Sequence, residues 1–183
     1  MTDRPEASSD LLRLALEGYR EEYRDLSETW RNLDGKAQGS GAIAGIFLAA
    51  VFAWVRPLAA GAGTLERVLL CASIVLLVAS VVAAVLALQV RTVSAPPLGE
   101  ETGKMIDDLL RPENVGELPE RIPRLFQDQI RAWRATNRET ADANLGKADR
   151  VRDSQVALLA AAALVAVLSV LAVFGGLSQA GRP

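Results

Sequence analysis

AIAGIFLAAVFAWV, Ala42–Val55, is the stretch on which the fold turns. It lies in a run of nineteen uncharged residues between Lys36 and Arg56. Two further runs follow: twenty-three residues over Val68–Val90, and twenty-eight over Ser154–Gly181, apolar mainly over Val156–Phe174. A bilayer core about 30 Å thick needs about 20 helical residues, so each run is long enough to cross it. The competing reading, three buried helices of a water-soluble core, needs a protein shell around all of them. The remainder of a 183-residue chain cannot supply one. The sequence therefore predicts an all-α integral membrane protein with three transmembrane helices, over 38–57, 66–90 and 153–176, and a cytoplasmic helical stalk.

Basic residues predict the direction of crossing, since Lys and Arg near span ends favour the cytoplasmic side. Six of them precede the first run, and four (Arg20, Arg24, Arg31, Lys36) are close to it. The connection between the first two runs holds only Arg56 and Arg67, whereas Arg91–Arg152 holds eleven and the tail only Arg182. The expected topology places the N-terminus and the long loop on the cytoplasmic side. The short hairpin and the tail 177–183 then lie outside, with Trp54 and Phe174 at the outer interface. The first run follows a long acidic stretch without a short basic lead, so it does not read as a cleaved signal.

The cytoplasmic segments carry their own periodicity. Over 1–37, Leu12, Leu16, Tyr19, Tyr23, Leu26, Trp30, Leu33 and Ala37 alternate spacings of four and three, a seam that packs against a partner helix. Ser8 or Ser9 is the expected cap. The segment 91–123 is broken by repeated Pro and Gly and reads as loop with one short helix near Gly103–Leu110. A second amphipathic helix is expected over 124–152, with Pro123 in its first turn. Its seam is Phe126, Ile130, Trp133, Asn137, Ala141, Asn144, Ala148 and Val151. Both cytoplasmic helices run toward a span, which suggests a parallel stalk.

Two stretches echo each other at the stalk–membrane junction: NLDGKA, Asn32–Ala37, and NLGKA, Asn144–Ala148. Their common expected role is the inner membrane face, with Asn32 and Asn144 shared between helices, Asp34 beside them, and Lys36 and Lys147 reaching headgroups. In the first span Gly41, Gly45, Ala49 and Ala53 lie four apart, as do Ala79, Ala83 and Ala87 in the second. Small residues so spaced let helices approach closely, either within one chain or between copies in a homo-oligomer.

Composition limits the chemistry. There is no histidine, and the single cysteine, Cys71, falls inside the second run, so neither a disulfide nor a metal cluster is expected. No nucleotide-binding loop, nucleophile elbow or zinc spacing occurs, and no catalytic residue or cofactor is assigned. The runs contain no Asp, Glu, Lys or Arg, which argues against a proton-coupled transporter or voltage sensor. A net charge of −2 gives no indication of nucleic acid as a partner. Arg124, Arg131 and Arg138, seven apart, with Arg134 beside them, form a basic stripe. It suits phosphate of a nucleotide or of anionic lipid, or is simply a solvated face offset by Asp128 and Glu139.

The order of these features resembles the membrane effectors of bacterial Pycsar anti-phage systems and, more loosely, SLATT-type membrane domains. The likeness runs over roughly residues 10–175. Its carriers are Asp34-Gly35-Lys36-Ala37 before two close spans, and Asn144-Leu145-Gly146-Lys147-Ala148 before the last. The resemblance implies a protein that senses a cyclic pyrimidine nucleotide and damages the bacterial inner membrane, so that an infected cell stops supporting phage. It assigns no nucleotide contact to a particular residue. The alternative is a membrane anchor whose cytoplasmic helices recruit a soluble partner.

Overall fold

A computed structural model describes residues 4–61, 63–89, 93, 99–111 and 118–180, with side chains over 10–55, 63–89, 93, 102–111, 118 and 120–172. Among these residues the chain forms four helices: α1 Arg4–Gly61, α2 Thr64–Leu88, α3 Gly99–Leu109 and α4 Leu118–Ala180. Three of them, α1, α2 and α4, contain stretches long and apolar enough to cross a membrane. The chain divides into two units, one of Met1–Arg31 with Arg91–Leu145 and one of Asn32–Val90 with Gly146–Pro183. The divisions fall at the start of NLDGKA and inside NLGKA.

The first unit is polar. Its part of α1 turns Leu12, Leu16, Tyr19, Tyr23, Leu26 and Trp30 inward, each buried or half-buried, as the 3.5-residue spacing requires. The α4 segment does the same with Phe126, Ile130, Trp133, Asn137, Ala141 and Asn144. Asn137 reaches Tyr19 and Asn144 reaches Leu26, both by side-chain amide to backbone carbonyl, so the two helices run parallel here.

The second unit is apolar. α2 buries Leu70, Ser73, Leu77, Ser80, Ala84 and Ala87, alternating spacings of three and four. Ala44 and Val51 of α1 and Ala161 and Leu168 of α4 close the same core. A smaller cluster joins Ala37, Ala87 and Val151. α2 is antiparallel to α4, because Ser80 meets Ser154 while Leu86, further along, meets Arg150. At its start the Gly63 N–H donates to the Glu66 carboxylate at 2.8 Å, satisfying one orphan donor.

Several expectations are corrected. α1 begins at Arg4, so Ser8 and Ser9 lie inside the helix rather than at its cap. α4 begins at Leu118, ahead of Pro123. Pro123 is the sixth residue of α4, so it has no N–H to give the residue 119 carbonyl, and its ring crowds that carbonyl. α3 starts four residues before Gly103, and α4 continues through Ala180. On the small-residue face of α1, Gly41 is half-buried, and an added Cβ there would lie 3.3 Å from the Ala84 Cβ. Gly45, Ala49 and Ala53 are exposed, because the inward face carries Ala37, Ser40, Ala44 and Val51 instead. On α2, Ala79 is exposed and Ala87 buried. Expectations for residues 94–98, 112–117 and 181–183, and for the side chain of Phe174, lie outside the described residues.

Candidate functional site

In the polar unit the site begins with two asparagines one heptad apart on α4. The Asn137 Nδ2 donates to the Tyr19 carbonyl and to the Glu22 carboxylate, both at 2.8 Å. The Asn144 Nδ2 donates to the Leu26 carbonyl at 2.9 Å. The acceptors are themselves seven apart, so the same contact repeats along one parallel seam. Both side chains are buried, and among the described residues neither Oδ1 atom has a hydrogen-bond partner. An unsatisfied buried acceptor costs about 1–3 kcal/mol, which makes these positions poor choices for stability alone. Buried asparagines in helical seams do specify register and partner number.

Aromatic packing reinforces this seam. The rings of Tyr23 and Trp133 meet edge to face, 5.5 Å apart at 72°, and the Arg20 guanidinium lies 6.0 Å from the Trp133 ring centre. Gln129 connects α4 to α3 through Thr102 at 3.4 Å.

The basic stripe is exposed at all four positions, Arg124, Arg131, Arg134 and Arg138. Arg124 lies 4.0 Å from Glu120 and Arg131 3.5 Å from Asp128, both partners on the same helix. A cavity of about 220 Å³ between α3 and α4 brings Arg124 together with Arg121, walled by Met105 and Leu125 and flanked by Asp108 and Asp128. Arg131, Arg134 and Arg138 do not line it.

In the apolar unit the two echoed stretches meet. The Lys147 ammonium pairs with the Asp34 carboxylate, Lys147 being 5% and Asp34 31% exposed at the side chain. Lys147 thus turns inward, not toward headgroups as expected, because a carboxylate on the facing helix compensates its burial. Lys36 and Asn32 are exposed. One turn on, the Arg150 guanidinium donates to the Leu86 carbonyl at 2.8 Å. It thereby satisfies one of the carbonyls that the C-terminus of α2 leaves without a helical partner.

Deeper in this unit, the Ser80 hydroxyl donates to the Ser154 carbonyl at 2.8 Å and the Ser154 hydroxyl to the Ser80 carbonyl at 2.9 Å. Both serines are fully buried. Small side chains allow α2 and α4 to approach, and each hydroxyl finds an acceptor across the gap.

Sequence reasoning missed Ser80, Ser154 and Arg150, although a signal existed. Ser73 and Ser80 are polar exceptions seven apart in an apolar helix, which marks the buried stripe rather than the alanine stripe beside it. Among the described residues, no group of three or more Asp, Glu or Cys side chains could hold a metal ion.

Comparison with protein-family models, with curated proteins and with solved structures finds no match to this chain. Its fold and site define it at the level of class: an all-helical protein with three helices long and apolar enough to cross a membrane, joined to a polar helical unit.

Proposed function

We propose that the chain is a multi-pass inner-membrane effector whose copies assemble and perturb the bilayer in response to a cytoplasmic signal. The observation that carries the membrane reading is the outer surface of the apolar unit. Ile46, Trp54, Val75 and Leu159 are each about two-thirds exposed. Contiguous apolar surface of this kind is rare on water-soluble monomers and natural against lipid tails. The distribution of Lys and Arg supports a cytoplasmic N-terminus and an external C-terminus.

Assembly is supported by Gly45, Ala49 and Ala53, a small-residue face left open by the chain's own packing. The signal is a cyclic pyrimidine nucleotide, in keeping with the Pycsar-like layout. The cavity at Arg121 and Arg124 is smaller than the roughly 300–1,000 Å³ of ordinary ligand pockets. Its two guanidinium groups, beside the Asp108 and Asp128 carboxylates, are the groups there that could meet the phosphate of such a ligand.

The test is induced expression with a membrane-potential dye, with and without cyclic UMP or cyclic CMP. Depolarisation should require the nucleotide and should be lost in a Gly45→Leu, Ala49→Leu variant. Unchanged potential under every condition would sink the effector reading.

A second reading, a membrane anchor for a soluble partner, is favoured by α3 and the turn after it, where Met105, Ile106 and Leu110 are exposed. In that case a partner should co-purify with the wild type and be lost on Met105→Ser, Ile106→Ser, with no change in membrane potential.

A further inference from the structure

We infer that the groove between α2 and α4 lined by Leu76, Asp149, Arg152, Asp153, Val156 and Ala160 is a binding site for a phospholipid with a primary-ammonium headgroup. The inference rests on the membrane reading above. The groove has a volume of about 590 Å³, within the range of small-molecule sites.

Charge and position identify the occupant. Asp149 and Asp153 are one helical turn apart on α4, and Arg152 stands three residues from Asp149, so all three present charge to one mouth. All are exposed, and none makes an ion pair among the described residues. Three neighbouring charges of both signs, left unpaired beside a groove, match a headgroup that carries both signs itself. Its phosphate can take two parallel bonds from the Arg152 guanidinium. Its ammonium has three N–H donors for the two carboxylates.

Other headgroups fit less well. An anionic head without an amine sets its phosphate against two carboxylates and one guanidinium. A quaternary ammonium has no N–H to give. Beyond the charges, Val156 and Ala160 follow at successive turns and Leu76 faces them from α2, so an acyl chain has an apolar floor. From Asp149 to Ala160 the groove follows α4 for about 16 Å.

The experiment is native mass spectrometry of the full chain in detergent micelles, with phosphatidylethanolamine, phosphatidylglycerol or phosphatidylcholine added. Phosphatidylethanolamine should be retained about tenfold better than phosphatidylglycerol, the ratio that one charge-assisted hydrogen bond supplies. Asp149→Asn with Asp153→Asn should bring that ratio near one, and Arg152→Gln should weaken both lipids. Ala160→Trp should fill the floor and lower retention while far-UV helicity stays unchanged.

Equal retention by the wild type, or a ratio untouched by the double aspartate variant, overturns the site. A chain recovered from the aqueous fraction without detergent overturns the membrane reading instead.

Discussion

Asp34 and Lys147 are unequal partners, and the inequality is measurable. Removing the carboxylate withdraws the ion-pair partner of an ammonium only 5% exposed, whereas removing the ammonium withdraws that of a carboxylate that is 31% exposed and reachable by water. Asp34→Asn should therefore cost about 2–4 kcal/mol and Lys147→Met about half of that. A double-mutant cycle read by thermal unfolding in micelles should give a coupling of about 1–3 kcal/mol. Lys36, exposed on the same echoed stretch, should add to Lys147 with no coupling beyond about 0.5 kcal/mol. Equal costs for the two single substitutions would contradict the burial difference. Lys147 could not have been placed from the sequence, because an interfacial lysine and a paired inward lysine have the same neighbours along the chain.

At the scale of the element, α4 carries two kinds of seam. In the polar unit it is punctuated by Asn137 and Asn144, whose amides hold α1 and whose Oδ1 atoms have no partner among the described residues. In the apolar unit the seam is Val151, Ser154, Ala161 and Leu168, with the one buried hydroxyl answered by Ser80. The asparagine pair should trade stability for specificity. Replacing both by leucine should raise the unfolding temperature and broaden the distribution of oligomeric states seen by mass photometry. A lower unfolding temperature with a single oligomeric state would show that the amide bonds matter for strength rather than for register. The spacing of Asn137 and Asn144 was legible beforehand as part of a 3.5-residue repeat. That each amide would reach a carbonyl of α1 was not, since the repeat names a face but not the helix opposite.

For the whole molecule, the decisive property is the contrast between a unit with an apolar outer surface and a unit with charged flanks. A reporter active only in the cytoplasm, fused after Pro183, should be silent, and the same reporter at the N-terminus should be active. A cytoplasmic signal from the C-terminal fusion would break the three-span topology.

The all-helical class and the three apolar stretches were legible in the sequence alone, though not where the helices begin. Long uncharged runs and a 3.5-residue period are local properties, and a helix needs no distant partner to satisfy its backbone. The echo of NLDGKA and NLGKA was likewise visible, and both stretches lie where the chain divides into its polar and apolar units. What only the tertiary structure decided is which face of each helix turns inward. On α1 two candidate stripes differ by about one residue in register, and packing chose Ala44 and Val51 over Gly45, Ala49 and Ala53. It paired Asp34 with Lys147 and Ser80 with Ser154 across helices more than seventy residues apart in sequence. The physical reason is that apolar residues surround these helices on every side. In such segments hydrophobicity no longer distinguishes inside from outside, and the choice passes to close packing and to the few polar atoms that must find a partner.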